Sequence, residues 1–282
     1  MTGSTVPHVP TSRVGPASVE SIATRLRTAG CVFAEEEARL LTASAASPGQ
    51  LDALVERRAA GVPLEHLLGW AEFCGLRIGV AAGVFVPRRR TEFLVRQAAL
   101  LLRASRPPFL AAGGTRPPAV LDLCCGSGAV GAALAAQAGP VELHASDIDA
   151  GAVRCARRNL LPLGGEVYEG DLYDPLPARL RGRVEVLAVN APYVPSAGIR
   201  TMPQEARLHE PLVSLDGGAD GLDVQRRVAA AAQQWLAPGG HLLVETSLRQ
   251  APLTVDLFLR NGLTARVASS EELDATVVIG RS

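Results

Sequence analysis

From Ala17 to about Gly69, apolar residues recur at helical spacing. Val19, Ile22, Ala23 and Leu26 fall on one face of SVESIATRLRTAG, with Gly30 as a C-terminal stop. AEEEARLLTASAA continues the pattern, and Ser47-Pro48 reads as an N-cap with Pro at the first helical position of a helix running through LDALVERRAA to Gly61. Over residues 70–90 the period changes to short β-prone pieces around Gly75, Gly79 and Gly83, which suit a hairpin linking two domains. Thr91 to Ala104 returns to helix, and SRPPFLAAGGTRPPA is a connector without period.

Beyond the connector, apolar strands alternate with helical stretches. AVLDLCC, VELHAS, VYEGD and VEVLAVN read as strands, and GAVGAALAAQA and DAGAVRCARRNL as helices. Alternation at this spacing predicts an α/β domain with a parallel sheet covered on both faces. A long helix through DVQRRVAAAAQQWLA, a turn at Pro238-Gly239-Gly240, the strand HLLVET and a helix to Arg260 follow. LTARVAS and ATVVIG lie so close in sequence that they are expected to pair antiparallel. The predicted division is a tail over 1–16, a helical domain over 17–69, a hairpin linker over 70–90 and a larger domain over 91–282.

Composition narrows the chemistry. The 282 residues carry 28 basic and 28 acidic side chains, so no basic field favours extended nucleic-acid contact. All the basic residues are Arg, and the absence of Lys excludes Schiff-base catalysis and a P-loop lysine. Cys31, Cys74, Cys124, Cys125 and Cys155 are an odd set without CxxC spacing, and the five His are scattered. Reduced thiols, a cytoplasmic setting and no metal site are expected. The Ser/Thr/Pro/Gly-rich start lacks the features of a signal peptide, and no apolar run approaches a membrane span.

A glycine loop, DLCCGSG, follows the first strand of the larger domain, and Gly126, Gly128 and Gly131 satisfy GxGxxG. Glycines there let the backbone turn tightly and approach a ligand at a helix N-terminus. Asp147, at the end of the next strand, suits the hydroxyls of a ribose, whether of a nicotinamide dinucleotide or of S-adenosylmethionine. It is equally suited to begin the following helix. Gly170-Asp171-Leu172 places another acid where an adenine amino group can be accepted.

VNAPYVP, Val189 to Pro195, favours the methyl donor. An amide or aromatic NH2 group is a poor nucleophile because its lone pair is delocalised. If the Asn190 side-chain oxygen and the Ala191 main-chain carbonyl each accept one N–H, the lone pair is aimed at the incoming methyl group. Pro192 stiffens the loop and Tyr193 offers a face for a planar group.

With these residues in view, the chain resembles the HemK-type protein-(glutamine-N5) methyltransferases over roughly residues 17–282. The resemblance rests on PLEHLLG at 63–69, GVFVPRRRTE, VLDLCCGSG, Asp147, Gly170-Asp171-Leu172, NAPYVP, and Glu210-Pro211 followed by LDGGADGLD. It implies a class I, Rossmann-like S-adenosylmethionine-dependent domain with a small N-terminal helical domain that recognises a protein substrate, the Gly-Gly-Gln loop of a peptide-chain release factor. By matching motif, Asp122, Gly126, Gly128, Asp147, Asp171, Leu172 and Phe85 are expected to hold the cofactor. Asn190, Ala191, Pro192 and Tyr193 are expected to form the target-amide site.

Three positions depart from the family pattern. Ala191 replaces the first proline of Asn-Pro-Pro-Tyr, Arg90 replaces an acidic residue, and Cys124-Cys125 replaces Gly-Thr. Two rival readings therefore stand beside the first: N-methylation of a small molecule or nucleic-acid base, and a catalytically silent cofactor-binding protein.

Overall fold

The structure is a computed structural model and describes residues 16–104 and 116–282. The predicted tail, up to residue 15, and most of the Pro/Gly connector lie outside the described residues. The chain divides into two compact units after Leu68.

The first unit contains α1 (Pro16–Thr28), α2 (Ala34–Ser44), α3 (Pro48–Ala59) and the short α4 (Leu64–Leu68). Its core is built from Ala23, Leu26, Ala38, Leu41, Leu51 and Val55, the residues that helical spacing places on facing stripes. Ser47 caps α3 through its hydroxyl, which accepts the Gln50 N–H at 3.2 Å. Glu37 and Arg58, both buried, pair at 2.6 Å and tie α2 to α3.

The second unit begins with an antiparallel hairpin, β1 (Trp70–Phe73) and β2 (Leu76–Gly79). After α5 (Glu92–Ala104) come β3 (Ala119–Leu123), α6 (Ala129–Ala138), β4 (Glu142–Asp147), α7 (Ala150–Leu160), β5 (Glu166–Glu169) and β6 (Val184–Val189). The segment between β6 and α9 (Asp223–Trp235) holds only short helical turns, including α8 (Gln204–His209). The chain closes with β7 (Leu236–Thr246), α10 (Ala251–Arg260), β8 (Thr264–Ser270) and β9 (Ala275–Arg281).

Seven strands form one sheet in the order β5-β4-β3-β6-β7-β9-β8. The first five are parallel, while β9 runs antiparallel to both neighbours. Alternate residues of the central strands enter opposite cores. Val120, Val186, Ala188 and Leu243 pack with residues of α5, α6 and α7, whereas Leu121, Leu123, Leu187, Val189, Leu242 and Val244 pack with residues of α9 and α10. This is the mainly parallel sheet covered on both faces that the alternation predicts, in the Rossmann-like form that the resemblance implies. Among the described residues no helix is long and apolar enough to cross a membrane.

One element differs from its expectation. Pro238-Gly239-Gly240 lies inside β7, where Val184 pairs with Leu236 and Val186 with His241, so residues 237–240 bulge out of the ladder. A Cβ on Gly240 would stand 2.7 Å from the Val184 carbonyl oxygen. These glycines permit a close backbone approach within a strand as readily as they permit a turn.

From β3 the chain winds outward through β4 and β5, then crosses back to β6 and β7 on the other side. Ligands of open α/β sheets bind where the winding reverses, beyond the carboxyl ends of the strands. Leu123 is in register with Val189, so the glycine loop and NAPYVP leave the sheet side by side.

Candidate active site

The glycine loop is held by carboxylates from below. Asp147 accepts the Gly126 N–H on Oδ2 at 2.8 Å and the Asp149 N–H on Oδ1 at 2.9 Å. Asp122 Oδ2 accepts the Gly131 N–H at 2.9 Å, binding the end of β3 to the first turn of α6. Cys124 and Gly126 adopt φ of 60° and 54°, turning the chain back over the strand end. A Cβ on Gly126 would meet nothing within 4 Å, so its bare backbone faces open space. Gly128 has another job: a Cβ there would lie 3.0 Å from the Leu160 side chain, and its absence lets α6 close on α7. Burial pushes both adjacent thiols, Cys124 and Cys125, upward, so they are neutral packing groups.

Asp122 has a measurable consequence. It is 2% exposed, and burial, reinforced by the Asp147 charge and opposed by the Gly131 N–H, raises its carboxyl to about 8. A carboxyl raised on folding stabilises the fold fully below its unfolded value of 3.8, and that contribution drains away as pH climbs to about 8. The melting temperature of Asp122→Asn should therefore fall less between pH 5 and pH 8 than that of the wild type. Thermal melts at four pH values measure this, and equal slopes would refute it.

A cavity of about 200 Å³ opens above the two loops. It is lined by Phe85, Asp122, Gly126, Asp147, Asp171 and Leu172 on one side and by Asn190, Ala191, Pro192 and Tyr193 on the other. Ten of the candidate residues thus share one cavity, and Gly128 stands behind it. Leu172, at φ 48°, takes the Ser146 hydroxyl on its carbonyl at 2.7 Å. Asp171 Oδ2 pairs with Arg227 at 2.6 Å. The Arg88 guanidinium lies 4.9 Å from the Phe85 ring centroid. A bare glycine backbone, an acid at the β4 end and an apolar slot beside Leu172 fit a nucleoside with a charged tail.

The other wall is more strictly arranged. Asn190 Nδ2 donates to Thr91 Oγ1 at 3.3 Å, which fixes the amide so that its oxygen is the free end. Among the described residues neither Asn190 Oδ1 nor the Ala191 carbonyl accepts a hydrogen bond. Tyr193 gives its hydroxyl to Glu245 Oε1 at 3.3 Å, and burial with that neighbouring charge keeps the phenol neutral. Arg90 lies over the Tyr193 ring at 5.8 Å.

LDGGADGLD clamps this loop by its main chain. Gly217 N–H donates to the Val194 carbonyl at 2.9 Å, Val194 N–H to Leu215 at 3.2 Å, and Ser196 N–H to Gly218 at 2.9 Å. Gln250 Nε2 completes the clamp, donating to the Tyr193 carbonyl at 2.9 Å and to Asp220 at 3.0 Å. Glu210, also buried, accepts the Val86 N–H at 3.1 Å and two contacts from Arg88, joining the segment before α5 to the clamp. Glu245 and Gln250 lie outside every motif, and Thr91, though inside GVFVPRRRTE, was given no role in the site. Their only sequence signal is their place: Glu245 near the end of an apolar strand, Thr91 at a helix start.

Comparison with known proteins follows the same lines. The family described as Methyltransferase small domain matches residues 108–204. A release factor glutamine methyltransferase from Geobacter sulfurreducens is 39% identical over 211 residues, 74% of this chain and 69% of its own. A 4-amino-L-phenylalanine/4-methylamino-L-phenylalanine methyltransferase from Streptomyces pristinaespiralis is 35% identical over 250 residues, 84% of this chain and 83% of its own. A solved protein-(glutamine-N5) methyltransferase from Alicyclobacillus acidocaldarius shares 22% identity at a TM-score of 0.41, over 70% of this chain and 93% of that one.

Proposed function

We propose that this chain, which belongs to the HemK-type family of S-adenosylmethionine-dependent methyltransferases, is a cytosolic enzyme that methylates the side-chain amide of a glutamine in a protein, the Gly-Gly-Gln loop of a peptide-chain release factor. The observation that carries this reading is the pair of free carbonyl oxygens, Asn190 Oδ1 and Ala191 O, beside a glycine loop fitted to the donor. Two acceptors at one site match the two N–H bonds of a primary amide, and their fixed placement aims the nitrogen lone pair. S-Adenosylmethionine, when bound, supplies a methyl group on a sulfonium. Asp147 offers its remaining lone pairs to the ribose, Gly126 gives the tail a close backbone approach, and Asp171, Leu172 and Phe85 border the base. Pro192 and the Tyr193 ring shape the slot for the planar amide.

A second reading is favoured by two observations. The relative that acts on an aromatic amine aligns with more of this chain than the Geobacter enzyme does. Arg90, a fixed positive charge, sits over Tyr193 at the mouth of the acceptor wall, where it suits the carboxylate of a free amino acid. Methyl incorporation distinguishes the readings when matched amounts of an intact release factor, a Gly-Gly-Gln peptide and 4-amino-L-phenylalanine are offered with donor. Methylation of the glutamine is expected in the intact protein, with the peptide much poorer because it lacks remote binding energy. Incorporation into the arylamine alone would replace the first reading with the second.

A further inference from the structure

Glu245 is a carboxylate that the fold has buried without finishing its hydrogen bonds. Its side chain is 2% exposed. Oε1 takes the Tyr193 hydroxyl at 3.3 Å and faces Arg90 Nε at 3.4 Å, while Oε2 has no partner among the described residues. Buried acceptors are nearly always satisfied, so an exception at a cavity wall calls for a partner or a role. Glu245 lines the same cavity as Asn190 and Ala191. The Thr91 hydroxyl, which receives Asn190 Nδ2, also lies close enough to the Glu245 carboxylate to lower its pKa, so a single side chain stands between the carboxylate and the amide clamp.

We propose that Glu245 Oε2 is the proton acceptor of the reaction, taking the hydrogen that the acceptor nitrogen loses as it is methylated. The inference rests on the reading of N-methyl transfer at Asn190. As the nitrogen–methyl bond forms and the sulfur–methyl bond of the donor breaks, one N–H bond breaks. Its electron pair stays on nitrogen, and its proton forms an O–H bond with Oε2. The neutral carboxyl then releases the proton to solvent once the product has left. An amide nitrogen needs such a partner, because an amide carrying both its hydrogens and a new methyl group on nitrogen is a strong acid. An arylamine needs it less, since its methylated cation is far weaker.

The surroundings set the direction of the pH dependence. Burial raises the Glu245 carboxyl, against the Thr91 hydroxyl, the Arg90 charge and the Tyr193 hydroxyl. Arg88, the other cation near Tyr193, is paired with buried Glu210. A proton acceptor must be ionised, so kcat is expected to fall as pH drops through this raised value.

The test uses the full-length enzyme and Glu245→Gln, which keeps shape and loses basicity. The variant should bind S-adenosylhomocysteine as the wild type does by calorimetry, lose about thirtyfold in kcat on the glutamine acceptor, and lack the acid limb of the pH profile. A smaller loss is expected on 4-amino-L-phenylalanine if that is the acceptor. Independently of turnover, the infrared difference between wild type and variant should show a carboxyl titrating above the ordinary glutamate range. Near-normal kcat in the variant, an acid limb that survives the substitution, or a carboxyl titrating at the ordinary value would each overturn the proposal. Wild-type enzyme methylating neither acceptor would instead overturn the reading on which it rests.

Discussion

Asn190→Ala should lower kcat on the order of a hundredfold or more while changing donor affinity by no more than a few fold. The side chain lies on the acceptor wall of the cavity, and its amide is oriented by Thr91 at 3.3 Å. Truncation removes one of two fixed acceptors for the target N–H bonds, and the surviving Ala191 carbonyl cannot hold the nitrogen by itself. The glycine loop and Asp147 belong to neighbouring strands and keep their own hydrogen bonds, so the donor side is untouched. Steady-state kinetics and calorimetry with S-adenosylhomocysteine separate the two effects. Wild-type turnover in the variant would remove Asn190 from the acceptor site.

An effect of similar size is expected from a residue that touches neither substrate. Gly221 adopts φ +80°, and a Cβ there would stand 2.3 Å from the Tyr193 carbonyl oxygen and 2.4 Å from Gln250 Nε2. Gly221→Ala therefore adds left-handed strain of about 1–2 kcal/mol and also drives the clamp off the loop it holds. Tyr193 and Asn190 then lose their fixed positions, and kcat should drop about a hundredfold with the fold retained by circular dichroism. Gly164→Ala is the control: its φ is +77°, but nothing lies within 4 Å of the added methyl. It should cost stability alone. Equal kcat values for the two variants would show that the clamp does not position the loop.

The strands and helices of the larger unit were legible because each carries its own period, and β6, apolar but for Glu185 and ending at Val189 just before Asn190, announced both its burial and its loop. Antiparallel pairing of β8 with β9 was legible from their proximity in sequence. The bulge in β7 was not, since a Pro-Gly-Gly run has the same local preference whether the chain turns or merely passes close to Val184. Motif also grouped Gly126 with Gly128, although the first faces the cavity and the second packs against Leu160; only tertiary neighbours distinguish them. The roles of Glu245 and Thr91 escaped for the same reason. A glutamate in an apolar strand has no local signature of function until the structure shows which oxygen is left bare.

The main-chain clamp separates what the acceptor loop is made of from how it is held. Its grip on the loop is taken by the backbone of Tyr193, Val194 and Ser196, none of it by the side chains of Asn190, Ala191 or Pro192. Ala191, moreover, is 1% exposed and belongs to the buried cluster that holds Leu187 and Val189. Exchange of proline for alanine at this position is thus read by the interior of the protein, and an incoming acceptor meets the same carbonyl either way. Arg90, the other departure near this wall, has nearly half of its side chain in solvent. In such a scaffold, a lineage can be readdressed to a new substrate through one charged side chain at the rim while the transfer geometry is inherited unchanged.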